Sequence, residues 1–475
     1  MSSRREDRYD LVVIGAGSAG LIAADFAARF GARVLLIEKD RIGGDCTWTG
    51  CVPSKALLHA AGVAHHARVA PDLGIRISGV EIDFPAVMGQ VRQAIARVYS
   101  FETPEQLAKR GITVEQGQAR FLDEHSVDVA GRRVQSRSFV ICTGARAQRP
   151  SVAGLDSVPY FTYEEVFELD QLPALLLVLG GGSVGVEMAQ AFARLGSEVT
   201  LVEREDRLLS AADREASDVL ARVLAAEGVA IETEFEVVEA LAADGEIVLR
   251  SARKSLSGDR LLVATGRRPD LEGLDLGRAG VAFDERGIRV DRKLKTSQRH
   301  IYAAGDVTGS FQFTHFAGWQ GYAAARNALF PGSVRGLAAT VPWAVFTEPE
   351  VAQVGLTEEQ ARGQGSKITV QRLPLERVDR AQTLGETDGF VKVVTSAAGG
   401  ILGASVVGPA AAEVANELAV AMAAGIDLQQ LASTMHIYPT VGLGIQQVAS
   451  EFAFRQSNSG LRGAVARALM ARNPG

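Results

Sequence analysis

The first clear pattern is an apolar run from Tyr9 to Ile14. A Gly-rich turn follows, Gly15-Ala16-Gly17-Ser18-Ala19-Gly20, and then a helical run from Leu21 to Phe30. After Gly31 a second apolar run, Arg33 to Ile37, ends at Glu38. Strand, Gly-rich turn, helix and strand in that order predict a βαβ unit. Gly15 permits the tight turn, Gly17 lets the backbone approach a pyrophosphate, and Gly20 lets helix and strand pack closely. The free N–H groups at the helix start face phosphate charge. Glu38 stands where a carboxylate accepts ribose hydroxyls.

The pattern recurs. Leu175 to Leu179 is a strand, followed by Gly180-Gly181-Gly182-Ser183-Val184-Gly185, a helix from Val186 to Leu195, and a strand from Glu198 to Val202 that ends at Glu203. First glycine and acid are 23 residues apart in both copies. Two full fingerprints predict two different dinucleotides, because one site needs one pyrophosphate cradle. The alternative is a duplication with one copy that no longer binds. Glu203 favours NADH, since its carboxylate repels a 2′-phosphate. Arg204 and Arg207 follow at once and are able to receive that phosphate, so NADPH is the alternative.

Composition changes the picture little. A chain of 475 residues is too long for one core and predicts about three domains. An apolar fraction of 47% with 22% charge excludes disorder. The net charge of −6, without a basic block, argues against nucleic acid as a partner. The uncharged stretch from Val393 to Ala412 is broken by glycines and Pro409, so it reads as strand and turns rather than a membrane span. The polar start, Met1 to Arg8, reads as no signal peptide. With three cysteines there is no disulfide scaffold, and a reducing cytoplasm is expected.

Two of those cysteines lie in Gly43-Gly44-Asp45-Cys46-Thr47-Trp48-Thr49-Gly50-Cys51-Val52-Pro53-Ser54-Lys55. Five residues of regular helix rise about 7.5 Å, so bridging the two requires a distorted turn. Gly43, Gly44 and Gly50 permit one. Pro53 suits the first helical position, which sets Cys51 just outside a helix N-terminus, where a thiolate is stabilised. Lys55 adds positive charge in the first turn. A close pair in a reducing cell reads as redox-active; metal binding and an inert pair are the alternatives. Cys142, in the strand Ser138 to Cys142, reads as core.

These motifs together resemble the class I pyridine nucleotide–disulfide oxidoreductases, the group of dihydrolipoyl dehydrogenase, glutathione reductase and mercuric reductase. The resemblance runs from about Tyr9 to Phe454. It rests on the cysteine segment, on Ile141-Cys142-Thr143-Gly144 and Ala264-Thr265-Gly266-Arg267-Arg268-Pro269, and on Ile301-Tyr302-Ala303-Ala304-Gly305-Asp306. It implies an α/β fold: two Rossmann-like dinucleotide-binding domains, for FAD and NAD(P), plus a C-terminal α+β dimerisation domain. FAD is expected on the first fingerprint, with Asp306 binding the flavin ribityl chain, and a nicotinamide cofactor on the second; Gly44, Thr143, Gly144, Gly266, Arg267 and Gly305 are expected among the cofactor-binding residues. The implied roles are Cys51 as the thiol that touches the flavin, Cys46 as the interchange thiol that attacks substrate, and Lys55 with Glu187 as an ion pair beside the flavin. Electrons then pass from NAD(P)H through the flavin to a Cys46–Cys51 disulfide, and on to a small-molecule or metal-ion acceptor. Ser183 stands where several relatives carry a Tyr over the nicotinamide.

The chain also departs from the group. Relatives acting on disulfides carry His-Pro-Thr followed by Glu, a proton shuttle supplied across the dimer. Here Tyr438 holds the His position and Leu443 the Glu position, within His436-Ile437-Tyr438-Pro439-Thr440. A phenol near pKa 10 is a poor shuttle at neutral pH, so lipoamide or glutathione turnover is expected to be poor. His436 is either a substitute acid or a structural histidine, the second being the preferred reading. Tyr-Pro-Thr resembles mercuric reductase, yet no cysteine follows Cys142 and no metal-carrier segment is expected before the first strand. Soft metal ions are still able to meet Cys46 and Cys51 directly. Trp48 reads either as a residue narrowing the substrate entrance or as packing. The alternatives are a dihydrolipoyl dehydrogenase-like enzyme with an altered proton donor, and a redox-quiet FAD-bound scaffold.

The expected organisation is an FAD domain over 1–158 and 276–342, an NAD(P) domain over 159–275, an interface domain over 343–455 and a tail over 456–475. A homodimer is expected, with the Tyr438 segment completing the partner subunit's site.

Overall fold

The computed structural model describes residues 8–243, 245–338, 340–365 and 367–459; the tail beyond 459 and the first seven residues lie outside them. The chain divides into two compact units, one of Met1–Gly180, Ala191–Thr200 and Glu236–Ala339, the other of Gly181–Gln190, Leu201–Phe235 and Thr340–Gly475.

In the first unit, β1 (Arg8–Ile14) is followed by α1 (Ser18–Arg29) and β2 (Val34–Glu38). β1 pairs in parallel with β2, Leu11 opposite Val34 and Ile14 opposite Ile37. On its other side it pairs in parallel with the strand Arg132–Ile141, Ile14 opposite Ile141. That strand in turn carries Ile301–Ala303 in parallel, so the ends of the first and last cofactor motifs share one sheet edge. Alternate residues supply two cores, as a sheet covered on both faces requires. Val12, Ile14, Leu35, Ile37 and Phe139 bury on one face. Leu11, Val13 and Leu36 bury on the other, against Ala19, Ala23 and Ala27 of α1. Each fully buried Leu or Val contributes roughly 1.5–3 kcal/mol. The alanines serve close approach instead: a Cβ on Gly321 of the helix Thr314–Leu329 would stand 2.1 Å from Ala19 O. A second parallel set, Leu175–Leu179, Arg260–Val263 and Tyr160–Phe161, also lies in this unit.

Both fingerprint helices start three residues earlier than the pattern predicts, at Ser18 and Ser183 rather than Leu21 and Val186. The last glycine of each fingerprint belongs to the first helical turn, where its lack of a side chain, not helix propensity, decides the fit. The strand predicted from Ser138 to Cys142 begins at Arg132 and ends at Ile141.

The second unit holds a five-stranded antiparallel sheet of order Trp343–Val345, Glu350–Gly355, Ile401–Gly408, Phe390–Ser396, Ile368–Pro374. Its apolar face, Val354, Leu373, Val391, Val393 and Val406, buries against Leu418, Ile445 and Phe452 of the helices Ala411–Ala424 and Leu443–Ser459. Buried Lys392 holds Asp213 at 2.8 Å and Glu215 at 2.9 Å, at the N-terminus of the helix Arg214–Ala226. The fold is thus mixed α/β with an α+β body at its C-terminal end, the class the sequence predicts.

Candidate active site and cofactor groove

Gly15 turns the chain at the end of β1 with φ 99°, and a Cβ there would lie 2.3 Å from Cys142 O. The turn opens into a cavity of about 610 Å³ within the first unit. Gly15, Gly17 and Gly44 form one wall, and Glu38 lines it where β2 ends. Thr143 and Gly144 border it beyond buried Cys142, with Arg267, Gly305 and Asp306 at a further wall. Gly20 and Gly266 lie outside it: a Cβ on Gly20 would strike Gly15 O at 1.8 Å, the close packing expected.

The Glu38 carboxylate accepts Ala16 N–H and Asp40 N–H, each at 2.7 Å, and so fixes the turn to the end of β2. Lys39 and Arg146 reach Asp270 at 2.7 and 3.0 Å. Burial alone would raise the Asp270 carboxyl, but the bonds and charges of Lys39 and Arg146 outweigh it and hold the group below its ordinary range. The cavity suits the implied FAD. Gly17 and Gly44 bring backbone so close that a Cβ on Gly44, at φ 58°, would sit 2.8 Å from Gly17 Cα, leaving a cradle without side chains. Thr49 Oγ1, in the wall, is buried with no partner among the described residues.

The cysteine segment folds as two helices, α2 (Gly44–Trp48) and α3 (Cys51–Val69), broken at Gly50. A Cβ on Gly50 would stand 2.8 Å from Asp45 O, so the distorted turn needs glycine there. Two details correct the expectation. Cys51 is the first residue of α3 rather than a residue outside it, and Pro53 is the third. The helix still loses nothing, because the first four N–H groups have no helical partner. Lys55 therefore falls in the second turn, half-buried. Both cysteines are thiols in this structure. Cys46 lines the cavity; Cys51, more exposed, is not part of its wall, and its Sγ lies 3.2 Å from Thr314 Oγ1. The hydrogen bond to the Cys51 sulfur, and then burial, push the Cys46 thiol far above its ordinary range, while Thr314 and Ser18 pull the other way. Trp48 also lines the cavity; its indole N–H donates to Ile42 O at 2.7 Å, with Arg41 4.7 Å above the ring and Tyr99 at 5.0 Å.

Between α2 and the far wall stands Arg267. Its guanidinium donates to Asp306 at 2.6 Å, to the Tyr163 hydroxyl at 3.1 Å and to Asp45, and Tyr163 itself donates to Asp45 at 3.1 Å. Burial works against the charge on Arg267, but Asp306, Tyr163 and Asp45 more than restore it. Burial pushes the Asp306 carboxyl up, opposed by Arg267.

The second fingerprint repeats the first locally. Gly180 has φ 115°, with a would-be Cβ 2.5 Å from Ala264 O. Glu203 accepts Gly181 N–H at 2.6 Å and Glu205 N–H at 2.8 Å. Gly182 O receives Val186 N–H at the helix start, within which Gly185 lies. Arg204 is exposed and bonds Glu205; Arg207 donates to Ser210 O at 2.9 Å. Ser183 is exposed, and buried Glu187 accepts Phe346 N–H at 2.9 Å.

In the C-terminal segment, Tyr438 is exposed and donates to Asp379 at 3.0 Å. That bond, and then the charge of Asp379, push the phenol above its ordinary range. His436 engages Glu417 through Nε2 at 2.7 Å and Thr434 O through Nδ1 at 3.0 Å. Both ring nitrogens thus have partners within its own unit.

Four residues that sequence reasoning did not single out complete the site: Ser18, Asp45, Tyr163 and Thr314. Only Ser18 and Asp45 stood inside recognised motifs. Thr314 is 263 residues from Cys51, and no spacing rule connects them.

Comparison with known proteins places the chain in a family. Residues 9–321 match the family model described as pyridine nucleotide-disulphide oxidoreductase, and 341–449 match the dimerisation domain of that family. The chain is 36% identical over 453 residues to a mercuric reductase of Bacillus cereus, covering 94% of this chain and 71% of that protein. It is 37% identical over 456 residues to a dihydrolipoyl dehydrogenase of Thermus scotoductus, covering 93% and 96%. Among solved structures it resembles a Cu(II) complex of the HOCl-induced flavoprotein disulfide reductase RclA from Escherichia coli, with TM-score 0.83, 31% identity, and coverage of 92% and 98%. The chain belongs to the pyridine nucleotide-disulphide oxidoreductase family, FAD-dependent oxidoreductases that work with NAD(P)H.

Proposed function

We propose that this enzyme uses NAD(P)H to reduce a Cys46–Cys51 disulfide, and that the resulting dithiol reduces a thiophilic metal ion in the manner of a mercuric reductase. Small disulfides and electrophiles such as quinones are the slower acceptors. FAD held in the cavity supplies the two-electron connection between nicotinamide and disulfide. Gly15, Gly17 and Gly44 hold its phosphates by backbone, Glu38 its ribose and Asp306 its polyol chain. Glu203 selects NADH over NADPH. Lys55 and Glu187 keep the roles the resemblance gives them, and Tyr438 completes the partner subunit's site in a homodimer. The domain division 1–158 with 276–342, 159–275 and 343–455 follows from the same reading, as does a cytoplasmic location.

The first half-reaction consumes NADH, one proton and the disulfide, and yields NAD⁺ and two thiols. In the second the thiols release two protons to water and close to a disulfide, and their two electrons pass to one Hg²⁺ or to two Cu²⁺ ions, each reduced to Cu⁺. No proton has to be delivered to such an acceptor. A leaving thiol of a small disulfide does need one. The observation that carries the choice is therefore Tyr438, whose hydroxyl is bound to Asp379 and pushed away from neutral pKa. The Cu(II) complex of RclA supports the inclusion of copper among the acceptors tested.

The test is a panel of NADH and NADPH against Hg²⁺, Cu²⁺, lipoamide, glutathione disulfide and a quinone. Metal-ion turnover with NADH should lead, and Cys51→Ser should lower it by at least ~10³-fold. Anaerobic NADH should expose two thiols per molecule. Fast lipoamide turnover by the wild type, or a Cys51→Ser enzyme of normal rate, would overturn the reading.

A further inference from the structure

The helix carrying Cys46 has five residues, Gly44–Trp48. Helices shorter than about 12 residues are marginal on their own, so side chains must fix it in place. Thr47 donates to Glu102 at 3.0 Å and Trp48 to Ile42 O at 2.7 Å. The third anchor is different in kind. Asp45, the residue before Cys46, joins a half-buried guanidinium, Arg267, whose other arm holds the nearly buried Asp306 in the cavity wall. Buried Tyr163 closes the triangle between Arg267 and Asp45.

We propose that Asp45 is a positioning residue, and that the Asp45–Arg267–Asp306 chain couples the placement of Cys46 to the cofactor wall. The proposal rests on the reading of Cys46–Cys51 as the redox pair. Arg267 presents a planar fork of donors, so moving one carboxylate re-aims the guanidinium toward the other. Loss of Asp45 frees α2 and disturbs Asp306. Loss of Asp306 releases Arg267 and so loosens α2, although Asp306 lies on a different segment, the turn Asp306–Thr308. Tyr163 is a second positioning residue of the same chain: it fixes the Asp45 oxygen that Arg267 uses.

The experiment measures iodoacetamide alkylation of Cys46 relative to Cys51 by peptide mass spectrometry, on full-length protein reduced with dithiothreitol. Flavin fluorescence follows FAD release from the same samples. Asp45→Asn and Asp306→Asn should each raise the Cys46 to Cys51 ratio about tenfold. The double variant should add little to either single one, and Asp45→Glu should restore most of the wild-type ratio. FAD release should quicken in Asp45→Asn. A residue that only stabilised the fold would lower the melting temperature and leave the ratio alone. An unchanged ratio in Asp45→Asn, or effects of the two variants that multiply, would overturn the proposal. Should the Asp45 variants fail to fold, Tyr163→Phe carries the test, with an expected rise of about threefold and no rise as the overturning result. A wild type without FAD or without two titratable thiols would instead defeat the functional reading itself.

Discussion

The two Gly-rich turns share their local chemistry and differ in what surrounds it. In each, the first glycine presses on a backbone carbonyl of the adjoining strand end, Cys142 O at 2.3 Å from a would-be Cβ and Ala264 O at 2.5 Å. In each, a glutamate at the next strand end accepts two backbone N–H groups, one from the turn and one two residues beyond itself. Glu38, however, is buried in a cavity closed by α2 and by the Asp306 turn, whereas Glu203 is half-exposed with Arg204 in solvent. On the proposed reading, the same steric code serves a retained FAD in one place and an exchanging nicotinamide cofactor in the other. What differs is the chain that returns over the turn.

The largest effect expected from breaking this symmetry is at Gly15. Gly15→Ala meets both φ 99° and the Cys142 carbonyl, and should cost about 3 kcal/mol or more of stability together with bound FAD. Thermal melting and the flavin spectrum of the purified protein check it; a variant that keeps its flavin would show that the first turn tolerates a side chain. Gly180→Ala carries the matching strain at φ 115°, yet should retain FAD and lose reduction by NADH. If it loses flavin too, the two sites are not separable in the way described. A smaller effect belongs to Glu203→Gln, which should raise the KM for NADH about tenfold while leaving NADPH nearly unaffected. Equal changes for both nucleotides would remove Glu203 as the selector.

The smallest effect concerns pH. The Asp270 carboxyl is held below its ordinary range by Lys39 and Arg146 in the folded chain. Its contribution is fully present above the unfolded value of about 3.9 and is lost as pH falls through the lower folded value. The stability advantage of the wild type over Asp270→Asn should therefore be constant near neutrality and shrink below about pH 4. An advantage that grows on acidification would contradict the assignment.

Much of the site was legible in advance because its parts are local. Gly15, Gly17, Glu38 and the Cys46–Cys51 spacing are all read within one βαβ unit and the segment after it. The departures were legible too: Tyr438 in place of His is a single letter. The helix start at Cys51 was misplaced because Pro53 is compatible with any position in the first turn, where no N–H is needed. The partner of His436 was not legible in the sequence, since Glu417 lies on the helix Ala411–Ala424, brought beside it only by the fold.

The sequence by itself determined the paired dinucleotide folds, since alternating apolar residues and obligatory glycines act over a few residues and leave few other solutions. Only the tertiary structure decided which side chains meet at the thiols. Thr314 reaches Cys51 across 263 residues and Arg267 reaches Asp45 across 222. Such contacts follow from how sheets and helices stack in three dimensions, and no local spacing encodes them.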